Sequence, residues 1–155
     1  MSTFRFRLER VLSWRQTELA AAEAELERLH SELRMLHGKL QDLAVNEAKE
    51  TQMIQALRSL PGRAIAEIGD TRKWVAQERE RLQARIGDCA GRTDRQTAVV
   101  TEARRKVRLL ERLRERRHET WLEEENRALD ELARESALGS WLRRENGTPK
   151  AERGS

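Results

Sequence analysis

LSWRQTELAAAEAELERLHSELRMLHGKLQDLAVNEAKETQMIQAL, residues 12–57, is the stretch that decides the fold. Leu12, Arg15, Leu19, Ala22, Leu26, Leu29, Leu33, Leu36, Leu40, Leu43, Glu47, Glu50, Ile54 and Leu57 alternate spacings of three and four without interruption. Eleven of these 14 positions are apolar; Arg15, Glu47 and Glu50 are the exceptions. Apolar residues at that period form a coiled-coil seam. The stripe is only two residues wide per heptad, so it needs one or two partner helices rather than a broad globular core. At about 1.5 Å per residue the helix spans roughly 70 Å.

The pattern breaks at Ser59-Leu60-Pro61-Gly62. Glycine suits a helix C-terminus, and proline cannot extend the hydrogen-bond ladder. Gly69-Asp70-Thr71 reads as a stop followed by an N-cap. The first helix is therefore expected over about 4–59, a turn region over about 60–71 and a second helix over about 72–138. A second seam runs from Val75 through Arg79, Leu82, Ile86, Cys89, Thr93, Gln96, Val100, Ala103, Val107, Leu110, Arg114 and Arg117 to Trp121, with nine of 14 positions apolar. Gly87 and Gly91 weaken it by roughly 1 kcal/mol each. After Leu110 the frame slips, and Leu113, Leu122, Leu129 and Leu132 carry the pattern. Residues 1–143 read as one domain, and the polar 144–155 as a disordered tail.

Two such helices can fold back on each other, or each can pair with its twin in a homodimer. Residues 18–32 hold Glu18, Glu23, Glu25, Glu27 and Glu32 against Arg28. Residues 104–117 hold eight basic side chains against Glu111 and Glu115. A turn near residue 66 sets position i beside roughly 132 − i, so the acidic block faces the basic one. It also sets Glu50 near Arg81 or Arg85 and Arg15 near Glu119. A parallel homodimer would set like charge against like. The expected fold is thus all-α: a long antiparallel two-helix coiled-coil hairpin, monomeric when free.

Composition agrees with that class. The chain is 37% charged, where an ordinary domain has roughly 25%. It is only 4% aromatic, with two prolines and eight glycines in 155 residues, which argues against sheet-rich or loop-rich folds. Net charge is +4 from 31 basic and 27 acidic groups, weak grounds for a nucleic-acid partner. The longest apolar run, Leu19-Ala20-Ala21-Ala22, makes neither a membrane span nor a signal peptide, so a soluble cytoplasmic chain without direct membrane insertion is expected. The lone Cys89 falls on the seam and reads as a small buried residue, a redox role being the alternative. His30 and His37 lie one heptad apart without a carboxylate cluster, which reads as solvent-exposed histidines rather than metal ligands. No phosphate loop, dinucleotide fingerprint or nucleophile elbow occurs. Neither an enzyme nor any cofactor or metal is expected. Basic residues 104–117 leave three readings: helix–helix pairing, an acidic protein partner, or nucleic acid. Trp74 either packs locally beside the turn or meets a partner.

The opening Phe4-Arg5-Phe6-Arg7-Leu8-Glu9-Arg10-Val11-Leu12, followed by Arg15, Glu18 and Ala21, resembles the start of the FliJ family of flagellar export proteins. Lys106-Val107, Leu110-Glu111-Arg112-Leu113, Glu115-Arg116-Arg117 and Leu129-Asp130-Glu131-Leu132-Ala133 look like that family's second helix, with Arg112 in place of its usual Lys. The likeness covers about residues 4–135.

That resemblance implies an antiparallel coiled coil similar to the central stalk of rotary ATPases. Such a protein acts in bacterial flagellum biogenesis, within type III protein export and hence motility. It is peripherally associated with the inner-membrane export apparatus. Implied partners are a hexameric FliI-like export ATPase, a FlhA-like export gate and export chaperones. By position, the ATPase-ring surface would be Phe4, Phe6, Arg7, Arg10 and Trp14 with Arg112, Arg116 and Arg117. The gate surface would be Trp74, Val75, Leu82 and Ile86. A stalk protein of an injectisome, a basic helical nucleic-acid binder and a homodimeric coiled-coil scaffold are the alternative readings.

Overall fold

The computed structural model describes residues 2–147. Among them are two long helices, α1 (Glu9–Ala56, 48 residues) and α2 (Gly62–Gly147, 86 residues), and no strand. The described residues divide into two compact units, one spanning Ser13–Val107 and one joining the residues up to Leu12 with those from Arg108 onward.

All four helix ends differ from the sequence expectation. α1 begins at Glu9 rather than near residue 4. Phe4-Arg5-Phe6-Arg7 alternates apolar and basic residues, a period of two that suits an extended backbone. Phe6 is buried and Phe4 half-buried, while Arg5 and Arg7 are exposed. The Glu9 N–H donates to the Phe6 carbonyl (3.1 Å), and the Glu9 carboxylate favours the helix N-terminus.

The turn is 57–61, much shorter than the expected 60–71. The Leu57 N–H closes α1 on the Ile54 carbonyl (3.1 Å). The Pro61 carbonyl then accepts from Ala64 (2.9 Å) and Ile65 (3.3 Å), opening α2. Proline ends one helix and starts the next because its missing N–H costs nothing in a first turn. Gly69 does not stop the helix. A helical glycine is merely costly, and Thr71 donates back to the Glu67 carbonyl (2.9 Å) instead of capping.

α2 likewise continues through residues 144–147, expected as tail. No proline interrupts it before Pro149, and the glycines on the way cost about 1 kcal/mol each without breaking the ladder. The rest of that tail expectation, 148–155, lies outside the described residues. The helices are therefore of unequal length.

In the unit Ser13–Val107 the two helices form an antiparallel hairpin along the expected seams. Ala22, Leu29 and Leu36 are buried on α1; Val75, Leu82, Cys89, Thr93, Val100, Ala103 and Val107 are buried on α2. Leu36, Leu82 and Cys89 form the tightest cluster, flanked by Leu33, Leu40, Leu43 and Ile86. The register is set back from the expected one because the turn is earlier. Glu47 pairs with Arg79 rather than facing residue 85, and the Leu29 carbonyl lies 3.6 Å from Cys89 Sγ.

Several polar seam positions find a partner. Gln96 Nε2 donates across to the Ala22 carbonyl (3.0 Å), which the small alanine leaves reachable, and Thr93 donates to the Cys89 carbonyl (2.8 Å). Glu47 and Arg79, charged exceptions in opposite seams, meet each other. Among the described residues no buried side-chain nitrogen or oxygen lacks a partner. Such pairings specify register more than they add stability.

In the other unit, residues 2–9 run along α2 in the opposite direction. Glu9 pairs with Arg114 (3.3 Å), Phe4 meets His118 and Trp121, and Ser2 Oγ donates to Glu125. Further on, Leu129, Leu132, Leu138 and Trp141 are exposed, so the apolar pattern expected after Leu110 covers no buried seam there.

Two stability outcomes follow. Leu36 is fully buried and its neighbour Met35 is 49% exposed. Leu36→Ala should cost about 2–4 kcal/mol in urea unfolding, against less than about 0.5 for Met35→Ala. Gly69 is helical, carries no positive φ and has open space where a Cβ would stand. Gly69→Ala should raise stability by about 0.5–1 kcal/mol, whereas a turn glycine with a left-handed backbone would lose stability on the same change.

Candidate protein-interaction surfaces

The unit of residues 2–12 and 108–147 holds an aromatic clasp. The Phe4 ring stands edge-on to His118 (centroids 4.9 Å, 77°) and tilts against Trp121 (5.9 Å, 51°). His118 and Trp121 stack at 5.9 Å and 27°. These geometries are worth about 0.5–1.5 kcal/mol per pair beyond area burial. With Phe6 buried and Glu9 on Arg114, they fix a segment that has no helical ladder of its own. An open hollow of about 350 Å³ beside the clasp is lined by Phe4, Arg114, Glu115 and His118.

The arginines of this unit are mostly free. Arg108, Arg112 and Arg116 recur every four residues, so they share one face of α2 at about 6 Å steps. They are exposed and make no ion pair among the described residues. Arg114, which does pair, lies about half a turn away from Arg112 and Arg116. Arg117, Arg5, Arg7 and Arg10 are likewise exposed and unpaired among the described residues.

This changes the charge argument. The expected meeting of acidic and basic blocks accounts for Glu23–Arg104 (3.1 Å), and Glu32 takes Arg92 (3.2 Å). Other members of the acidic block are matched on α1 itself: Glu25 with Arg28 (2.7 Å), Glu27 with Arg34 (3.1 Å) and Glu18 with Arg15 (2.9 Å). The hydrogen bond from Arg28 lowers the Glu25 pKa below the ordinary carboxylate value and raises that of Arg28. Local pairs at three- and four-residue spacing need no tertiary register, so charge blocks alone overstate interhelical pairing. Arg15 also lies 4.6 Å from the centroid of exposed Trp14.

Of the expected ATPase-ring residues, Phe4, Phe6, Arg7, Arg10, Arg112, Arg116 and Arg117 belong to this one unit. Phe6 is buried and holds the segment rather than offering surface. Trp14 belongs to the unit Ser13–Val107. Of the expected gate residues, Trp74 is 56% exposed, Val75 and Leu82 are buried in the seam, and Ile86 is half-buried. Of these four residues only Trp74 is largely exposed. His118, whose spacing of three from Trp121 puts both on one side of α2, joins the clasp although it is exposed. His37 is exposed and His30 half-buried. Among the described residues, no group of three or more His, Cys, Asp or Glu side chains could hold a metal ion. No helix there is long and apolar enough to cross a membrane.

Comparison with protein-family models, with curated proteins and with solved structures returned no match.

Because the clasp is the chief tie on residues 2–7, Phe4→Ala should raise trypsin cleavage after Arg5 and Arg7 about tenfold, as a loss near 1.4 kcal/mol implies. Helical circular dichroism should stay unchanged. Cleavage at the native rate would mean that the clasp does not hold the segment.

Proposed function

We propose that this chain is a non-enzymatic stalk and chaperone-like component of a bacterial flagellar type III export apparatus. It couples an export ATPase ring to an export gate and helps handle export chaperones. The observation that carries this reading is the clasp: Phe4 holds the opening motif on one face of α2, with Arg5, Arg7 and Arg117 exposed and unpaired around it, and Arg108, Arg112 and Arg116 line the opposite face. A surface joining the two ends of the sequence is what the FliJ-like resemblance implies for the ring contact.

The chemistry supports a binding role. Arginines present rigid forks to carboxylates, and they are abundant where charged protein surfaces meet. Arg108, Arg112 and Arg116 lie with exposed Leu109, so polar and apolar contact are available together. The hollow at Phe4 is open to water, whereas catalysis favours an enclosed site where fixed dipoles act in a low dielectric. The mechanism is therefore allosteric: the stalk stabilises the assembled ring and thereby raises hydrolysis, with no nucleotide bound by the stalk. Exposed Trp74 is the residue for the gate contact, and peripheral association with the inner membrane follows from these partners.

The purified chain should raise the turnover of its cognate export ATPase severalfold. Arg112→Ala with Arg116→Ala and Arg117→Ala should weaken the half-saturating concentration about tenfold or more, with helicity unchanged. An ATPase rate indifferent to the native chain would sink the proposal.

A further inference from the structure

Residues 51–66, TQMIQALRSLPGRAIA, form the longest stretch of the sequence without an acidic residue. Its only charges are Arg58 and Arg63, in a chain that is 37% charged. In the structure this stretch is the end of the hairpin: the last turns of α1, the connection 57–61 and the first turn of α2.

The end is apolar as well as cationic. Met53 is 71% exposed, and Leu57 and Ile65 are 57% exposed each. Met53 lies in the last turn of α1, Leu57 opens the connection four residues on, and Ile65 stands on α2 off the line of the buried Val75. Arg58 and Arg63 are exposed, with no ion pair among the described residues. At the same end the Gly62 and Arg63 N–H groups open α2, ahead of the Ala64 and Ile65 N–H groups that the Pro61 carbonyl takes, and a helix N-terminus favours anions.

We propose that this end of the hairpin seats on an anionic membrane surface. Leu57 and Ile65 would enter the headgroup region to a depth of a few ångströms, Met53 would stand about 6 Å further out, and Arg58 and Arg63 would meet lipid phosphates. A fluid anionic surface takes exposed apolar side chains and unpaired guanidinium groups together, and residues 57–65 offer Leu57 and Ile65 with Arg58 and Arg63 and no acid. The absence of carboxylates matters because a negative surface potential repels them and attracts Arg. The nearest acids, Glu50 on α1 and Glu67 and Asp70 on α2, stand farther along the helices than Leu57 and Ile65 do. This is shallow seating without a span, and it departs from the sequence expectation of no direct membrane insertion. It does not rest on the ATPase reading.

The test is flotation of the full-length chain with phosphatidylglycerol–phosphatidylethanolamine vesicles and, separately, with phosphatidylcholine vesicles. Binding to the anionic vesicles, reduced by added salt and at least about tenfold weaker on phosphatidylcholine, is the expected result. Leu57→Asp with Ile65→Asp, and Arg58→Glu with Arg63→Glu, should each lower binding about tenfold or more with helicity unchanged. Arg127→Glu with Arg134→Glu, the same charge change far along α2, should stay within about twofold of the native chain, since surface potential fades within a Debye length. No preference for anionic vesicles overturns the proposal. So do hairpin-end variants that bind like the native chain, or an equal loss in the Arg127 and Arg134 variant. An acidic protein face as the true partner would appear as absent vesicle binding, which also overturns it. Since no ATPase is in the assay, failure here and failure of the stalk reading are separate results.

Discussion

An apolar stripe only two residues wide per heptad can be dried by one neighbouring helix and by little else. Everything in the unit Ser13–Val107 follows from that constraint. The α1 stripe is leucine-rich; the α2 stripe is poorer, with Cys89, Thr93 and Gln96 in succession. The mismatch is resolved residue by residue. Gln96 reaches a backbone carbonyl because Ala22 leaves room, and Cys89 sits fully buried near the Leu29 carbonyl. Each fully buried leucine contributes about 1.5–3 kcal/mol, so Leu12, Leu29 and Leu36 outweigh any exposed ion pair. Apolar burial supplies the stability, and polar exceptions select the register among antiparallel alternatives.

Charge plays a different part from the one its block pattern suggests. Carboxylates of the 18–32 block are largely matched by neighbours three, four or seven residues away on α1, at low entropic cost. Arg108, Arg112 and Arg116 are left facing water. Keeping guanidinium groups unpaired costs little in water, and it leaves their hydrogen-bonding forks free for a partner's carboxylates. The arginine excess over lysine, 26 to 5, fits that use better than simple solubilisation, for which either residue serves.

The heptad was legible because its period is a direct consequence of helix geometry, and a seam error of one residue would bury Glu or Arg. The ends were less legible. Gly69 and Pro61 both look like breakers, but only proline removes a donor and fixes φ, so only Pro61 interrupts the ladder. The Phe4-Arg5-Phe6-Arg7 alternation carried a period of two from the start, yet a helix beginning near residue 4 swallowed it. The charge blocks pointed to the correct hairpin while misassigning many of the pairs, because block complementarity cannot tell a partner across the seam from one a turn away on the same helix. The clasp was partly visible: Phe4 and Trp121 stood out as rare aromatics, whereas His118 needed the geometry of the N-terminal segment.

Any functional surface on such a fold must be built from what the seam leaves out. Val75 and Leu82 could serve a proposed gate contact only by opening the hairpin they hold together. Trp74, one residue away, is turned to solvent by the same periodicity that buries Val75. The same logic separates Phe6, spent on packing, from the free guanidinium groups of Arg112, Arg116 and Arg117. It also picks out the hairpin end, where apolar residues lie off the seam and acidic ones are missing. In a fold without an enclosed core, departures from the heptad are where selection for binding can act without cost to the structure. Residues that break the apolar period, rather than those that keep it, therefore have first claim on function.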